Sequence, residues 1–266
     1  RAPAPICALG LQATAHRASR GQSRQPALTR CGCPGGWPGR FAQDFFDMLS
    51  VRVCARDITL LPSGAAWLRE ADLLLVADAH FGKAQSFRRL GVPVPSGTTD
   101  ENLQALSADL ARTGAARLVF LGDLLHSAQS MSERLRTSLL HWRARHAACA
   151  MTLVRGNHDD RAGDPPEALG IEVLDGPLRV GPFALTHHPD PQDDAYVIAG
   201  HWHPCVIVSG RARERLRLPC FWWGDEARNA VGVLPAYGAF TGMHPIARRQ
   251  GDRVFALAGD VVREVT

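Results

Sequence analysis

Apolar residues occur in short runs along this chain, and five of the runs stop at clusters of polar side chains. Leu73–Ala77 leads into Asp78-Ala79-His80, and 118–121 into Gly122-Asp123 with His126 just beyond. The run 151–154 leads into Arg155-Gly156-Asn157-His158-Asp159. Residues 183–186 end at His187-His188-Pro189, and Tyr196–Ala199 ends at Gly200-His201-Trp202-His203. Unbroken apolar runs of this length are the pattern of strands buried on both faces. In open α/β sheets, ligands bind beyond the carboxyl ends of such strands. Any one of these polar clusters would also suit an ordinary turn. Five of them together predict a site.

The intervening segments supply further elements. Residues 51–53, 58–61 and 65–68 read as strands, with Pro62-Ser63-Gly64 as a hairpin turn. A basic segment over 81–90 carries Lys83, Arg88 and Arg89 and closes at Gly91 and Pro93. Thr98-Thr99-Asp100-Glu101 fits a capping box for a helix with Leu103, Leu106 and Leu110 on one face and Gly114 at its end. Ser130-Met131-Ser132-Glu133 fits a second, opening a helix that buries Leu135, Leu139 and Trp142, with His141 and His146 at the surface. Beyond residue 205 the pattern is β-rich, at 206–208, 213–218, 231–234, 253–257 and 261–265. Nothing in 48–266 reads as a repeat or a linker, so that stretch is expected to form a single domain.

The first 47 residues differ from the rest. Residues 1–43 hold six arginines, no acidic residue and scattered prolines. A transit peptide is one reading, but the amphipathic helix it needs is not evident. A disordered or non-native extension over 1–47, ahead of a start at Met48, is the expectation.

Composition narrows the class. With 266 residues, 45% of them hydrophobic, the chain can bury one large core. A net charge of +4 does not by itself demand a nucleic-acid partner. Only Lys83 is a lysine, which reads as a coding bias toward arginine. Seven irregularly spaced cysteines suggest free thiols in a reducing cytoplasm, not a disulfide framework. No apolar stretch reaches the ~18–20 residues needed to span a membrane.

The polar clusters share one chemistry. Asp78, His80, Asp123, Asn157, His187, His201 and His203 offer carboxylate, amide and imidazole donors and no thiol. Such sets suit Mn²⁺, Fe, Zn²⁺ or Mg²⁺. Seven donors are too many for one tetrahedral ion and suit two ions bridged by a carboxylate. Such a pair activates water for in-line attack on a phosphoester. His158, beside Asn157 but outside the donor count, suits a general acid for the leaving oxygen. His126, Asp159 and His188 lie near the set without a defined role.

Asp-x-His, Gly-Asp, Gly-Asn-His-Asp, a further His and Gly-His-x-His, in that order over 78–203, resemble the calcineurin-like metallophosphoesterase superfamily. The resemblance implies a four-layer α/β/β/α sandwich with two mixed sheets. It implies Asp78, His80 and His203 on a first ion, Asp123 bridging, and Asn157, His187 and His201 on a second. His158 would protonate the leaving group. Many members carry an acidic residue where this chain has His126. His187 and His188 are not separable from sequence. A narrower resemblance is carried by Asp78-Ala-His-Phe-Gly-Lys83, Thr186-His-His-Pro189, Leu218-Pro-Cys-Phe-Trp222 and Leu234-Pro-Ala-Tyr-Gly-Ala-Phe-Thr-Gly242. These blocks are similar to the bacterial ligase-associated DNA damage response endonucleases. That implies a hydrolase with a DNA substrate and a repair role, and as partners an ATP-dependent DNA ligase, a helicase and an exonuclease-like protein; Mn²⁺ is the expected metal and the cytoplasm the expected compartment.

The residues themselves leave the substrate open. Lys83, Arg88 and Arg89 suit either a substrate phosphate or a solvated helical face. Arg211, Arg213, Arg215 and Arg217 alternate along one strand face and suit either a phosphate backbone or the wet side of an edge strand. Trp202, Phe221, Trp222 and Trp223 suit either unpaired bases or the core. A small-molecule phosphatase or cyclic nucleotide phosphodiesterase would use the same metals. An inactive binding scaffold would be expected to lack ligands or His158, and none is missing.

Overall fold

Five consecutive buried positions, Leu73–Ala77, need cover on both sides. Helices provide it on one side and a second sheet on the other. The computed structural model describes residues 48–94, 97–209, 214–228 and 230–265. The 1–47 extension, Arg211 and Arg213 lie outside the described residues.

The first sheet follows chain order: β1 (Leu49–Val53), β2 (Arg56–Leu60), β3 (Ala66–Leu68), β4 (Leu73–Ala77), β5 (Arg117–Leu121), β6 (Ala150–Val154) and β7 (Ile171–Leu174). The pairs from β1 to β4 are antiparallel, and those from β4 to β7 are parallel. Parallel neighbours need crossovers. Here α1 (Lys83–Arg89) and α2 (Thr98–Thr113) link β4 to β5, and α3 (Glu133–Arg145) links β5 to β6. The single turn α4 (Asp159–Ala162) follows β6. Leu103, Leu106 and Leu110 of α2, with Leu135, Leu139 and Trp142 of α3, cover Leu74, Val76, Leu118 and Phe120. The alternate residues of the same strands, Leu73, Leu75, Val119 and Leu121, face the second sheet.

The second sheet contains β8 (Leu178–Val180), β9 (Phe183–Leu185), β10 (Tyr196–Ala199), β11 (Pro204–Ser209), β12 (Arg215–Trp223), β13 (Val231–Val233) and β14 (His244–Pro245). Their order is β14-β11-β12-β13-β10-β9-β8, and β15 (Arg253–Ala258) with β16 (Val261–Val265) adds on beside β12. β10 runs parallel to both β9 and β13, and the rest are antiparallel apart from β11 with β14. Phe183, Leu185, Ile198, Phe221, Trp223 and Phe255 fill the space between the sheets. Each such side chain contributes ~1.5–3 kcal/mol on burial.

The two mixed sheets and the helical layer agree with the sandwich that the resemblance implies. Among the described residues no helix lies past residue 169, so Ala195 and Ile246 cover the outer face of the second sheet where a helical layer was expected. Neither expected capping box forms. The N-cap of α2 is Gly97, in a left-handed conformation, and Thr98 is already helical and buried. Ser132, not Ser130, caps α3 by accepting from Leu135 N–H. Cys54, Cys149, Cys205 and Cys220 are free thiols. Among the described residues no helix is long and apolar enough to cross a membrane.

Candidate dinuclear metal centre

All five apolar runs are strands, β4, β5, β6, β9 and β10, and their polar ends converge on one place. Asp78 follows β4 directly, Asp123 lies two residues past β5, and Asn157 three past β6. His187 lies two past β9, while His201 and His203 follow β10, with His203 immediately before β11. The chain must turn sharply there to aim side chains inward. Asp78, His80, Asp123, His201 and His203 accordingly have φ between 44 and 70°. Left-handed backbone is uncommon outside glycine and clusters at functional sites.

Glycines let the groups approach. A Cβ on Gly122 would lie 2.2 Å from His187 Nδ1, and one on Gly156 would lie 2.4 Å from Asp123 Oδ1. The two halves of the site therefore meet across backbone that carries no side chain.

The donors form two groups. In the first, His203 Nε2 lies 3.4 Å from both His80 Nε2 and Asp78 Oδ1. His80 Nε2 is 3.7 Å from Asp123 Oδ2. In the second, His187 Nε2 is 3.0 Å from Asn157 Oδ1, 3.1 Å from His201 Nδ1 and 3.5 Å from Asp123 Oδ1. Asp123 thus presents one oxygen to each group. The backbone fixes the rings and carboxylates. His187 Nδ1 donates to Leu121 O at 3.0 Å, and His203 Nδ1 donates to Gly242 O at 3.0 Å. Asp78 Oδ2 accepts from His201 N–H at 2.9 Å, and Asp123 Oδ1 accepts from His158 N–H at 2.8 Å.

Those tautomers leave Nε2 of His187 and of His203 with lone pairs aimed at other acceptors. Asp78 Oδ1 is buried with no hydrogen-bond partner. Burial, then the Lys83 ammonium and neighbouring imidazoles, push His80 down to about 2. Burial also lowers His187 and His201. His80, His187 and His201 are thus held neutral, as metal ligands must be. Burial raises Asp123, and the charge of Asp78 adds to the rise. Neutral imidazoles and buried carboxylates facing one another need a cation between them. Ligands ~2.0–2.2 Å from one ion lie roughly 3–3.5 Å apart, close to the separations seen. The residues present fit two divalent ions.

The remaining candidates fall into place around this centre. His158 donates from Nδ1 to the His126 carbonyl at 2.9 Å and turns Nε2 inward, 4.0 Å from Asp123 Oδ2. His126 therefore serves through its backbone, while its ring stacks on His158 at 5.4 Å between centroids. Burial, then Lys83 and His158, push the His126 ring down to about 4. Asp159 is buried and accepts from Gly156 and Leu125 N–H at 3.0 and 3.2 Å, bracing the turn that carries Asn157 and His158. His187 is the buried member of its pair, and His188 is exposed, its ring 4.4 Å from that of His201. Lys83 is half-buried near the centre; burial lowers it while Asp123 and Asp78 pull it back up.

Other candidates stand apart. Arg88 is exposed, and Arg89 donates to Gln129 O at 2.6 Å. Arg215 and Arg217 are exposed on β12, opposite Ser209 and Ile207 of β11. Phe221, Trp222 and Trp223 are buried, whereas Trp202 is 41% exposed. The block 234–242, singled out in sequence only for its resemblance, braces the site: Tyr237 and Gly238 N–H groups donate to Ala77 and Asp78 carbonyls, and Gly242 O accepts from His203 Nδ1.

No family model and no curated protein matches the chain. Among solved structures it is similar to the Pseudomonas putida nuclease MPE, at 36% identity over 79% of this chain and 97% of that one, with a TM-score of 0.70. A protein of unknown function from Aquifex aeolicus matches at 19% identity over 48% of this chain and 77% of that one, with a TM-score of 0.33. The E. coli phosphoesterase Yfce matches at 15% identity over 73% and 97%, with a TM-score of 0.34. At those TM-scores neither of the last two carries weight. Identity of 36% across nearly the whole of the Pseudomonas protein is a different matter: the chain belongs to its family, within the calcineurin-like metallophosphoesterases, and is a metal-dependent phosphoesterase.

Proposed function

We propose that this phosphoesterase is a DNA endonuclease of bacterial ligase-associated repair, with Mn²⁺ as its two ions. The observation that carries the reading is the 36% identity spanning 97% of a protein described as a nuclease. Asp78, His80 and His203 would hold one ion, Asn157, His187 and His201 the other, and Asp123 both. Two such ions supply Lewis acidity for phosphodiester hydrolysis.

The chain's own residues do the rest. The His126 carbonyl accepts from Nδ1 and fixes His158 with Nε2 inward, where the imidazolium form would give its Nε2 proton to the leaving oxygen. The Lys83 ammonium adds positive charge beside the carboxylates, where a phosphate would lie. The exposed Arg215 and Arg217 support contact with a longer polyanion. The proposal extends to a cytoplasmic setting and a complex with an ATP-dependent DNA ligase, a helicase and an exonuclease-like protein. Pull-downs from native lysate that recover none of the three would end that part.

A second reading, a small-molecule phosphatase or cyclic nucleotide phosphodiesterase, is favoured by a cleft of about 810 Å³ beside His201. That volume lies within the ~300–1,000 Å³ of small-molecule sites. One assay separates the two: Mn²⁺-dependent cleavage of single-stranded, duplex and circular DNA beside a phosphomonoester and bis(p-nitrophenyl) phosphate. His158→Ala and Asp123→Ala serve as controls. Nicking of circular DNA that both variants lose is the expected result. Cleavage of small esters alone would leave a phosphoesterase and remove the DNA.

A further inference from the structure

Trp202 stands between His201 and His203, the residues assigned to opposite ions, yet it is 41% exposed. It is not loose. Its ring lies 5.4 Å from that of Trp222, with the planes 38° apart. Trp222 is buried, and its Nε1 donates to Asp252 Oδ2 at 3.1 Å. Asp252 Oδ2 also accepts from Arg249 N–H at 2.9 Å. Trp222 is thus a fixed backing for Trp202. The open side of Trp202 faces the cleft of about 810 Å³, where His201, Trp222, His244 and Arg249 also contribute walls.

The charges in this cleft are arranged unevenly. Asp252 is occupied by Trp222 and the Arg249 backbone, and Asp225 is paired with Arg228 at 3.1 Å. His244, Arg249 and the Asp190 carboxylate are exposed at the rim. A flat aromatic face on a fixed support, with the Arg249 guanidinium at the rim and the residues that would hold the ions alongside, suits a flat uncharged ring attached to phosphates. A nucleobase has that shape and chemistry. Phe221 and Trp223 cannot serve in this way, because they are buried between the sheets.

We infer that the cleft is a nucleobase subsite, in which the base next to the scissile phosphate stacks on Trp202 and Arg249 meets the phosphate beyond. This rests on the DNA reading above. A base held there is out of its helical stack, so a nucleotide that is already unpaired binds at lower cost.

The test uses short single-stranded oligonucleotides with one cleavable linkage, the others being methylphosphonates. Each is made intact or with an abasic residue on one side of that linkage, then on the other. Wild type is expected to prefer the intact strand on one side by roughly 5- to 150-fold in kcat/KM, the range of one base–aromatic stack. In Trp202→Ala that ratio should fall close to one, and Trp202→Phe should restore most of it. The ratio is taken within each variant, so general damage to the neighbouring histidines cancels. With metal-free protein, the intact oligonucleotide should quench tryptophan fluorescence, and Trp202→Phe should lose that quench. A wild type indifferent to the abasic residue, or an intact ratio and quench without Trp202, would overturn the subsite. If wild type hydrolyses bis(p-nitrophenyl) phosphate but no DNA, the DNA reading itself falls, and the subsite with it.

Discussion

The two sheets contribute to the centre in different ways. The first supplies both carboxylates, His80, Asn157 and His158 from β4, β5 and β6, a parallel unit braced by helices on its outer side. The second supplies three imidazoles from the ends of β9 and β10, beside a cleft on its helix-free outer face. The first half concentrates negative charge and proton transfer. The second gives imidazole donors alone and an exposed aromatic surface. Chemistry and recognition are thereby separated, and the ions are the joint between them.

The largest effect should come from breaking that joint at Asp123, the residue both groups share. Asp123→Asn keeps the oxygen that accepts from His158 N–H but removes the bridging charge. Its loss of turnover should exceed that of His158→Ala, and bound metal measured by elemental analysis should fall below two per chain. Stability of the metal-free protein should move the other way. Burial and Asp78 both oppose the Asp123 charge, so metal-free Asp123→Asn should melt above metal-free wild type. A lower melting temperature would mean that the carboxylates are not in conflict.

His158→Ala comes next, with an expected fall in kcat of ~10²–10⁴-fold, the range for losing a general acid. Both metals should stay bound. Loss of metal instead would move His158 from proton donor to ligand.

Gly122→Ala tests the seam between the halves. The added Cβ would meet the His187 ring in a backbone at φ 74°. A non-glycine residue there costs ~1–3 kcal/mol. The melting temperature should fall and the His187 ion should be lost, while the Asp78–His80–His203 group keeps its own. Retention of both ions would show that the second sheet can shift to accommodate the methyl.

The smallest effect is a pH slope in metal-free protein. His80, pushed down to about 2, and His126, to about 4, stay neutral when folded but take up a proton below ~6.5 when unfolded. Their stabilising contribution is complete above that unfolded value and is lost as pH falls toward the folded ones. The melting temperature should therefore drop from pH 7 to pH 5. Asp123, raised by burial, opposes this trend, so Asp123→Asn should steepen the drop. A flat profile would place the imidazoles in contact with solvent.

Much of the site is legible in sequence because a buried strand announces itself and its end is where polar donors collect. Asp78, His80, Asp123, Asn157, His187, His201 and His203 all stand at such ends, and they meet. What was not legible has physical reasons. The Ser/Thr-x-x-Glu pattern does not fix where a helix begins: α2 starts after Gly97, which has no side chain to cap with, and α3 is capped by Ser132, two residues past Ser130. β7 and β8 are short and only partly buried, so their alternation is weak. His126 matters through a carbonyl, which every residue has. Trp202 differs from Phe221 and Trp223 in one readable respect: it lies between two donor residues and not in an apolar run.

The left-handed backbone at Asp78, His80, Asp123, His201 and His203 has a consequence for descent. Each costs the fold on the order of 1 kcal/mol or more, and catalysis is what justifies the expense. A lineage released from catalysis would gain stability from glycine or asparagine at these five positions before any other part of the sandwich had cause to change. Decay of function should therefore leave its first trace there, in a fold that otherwise looks intact.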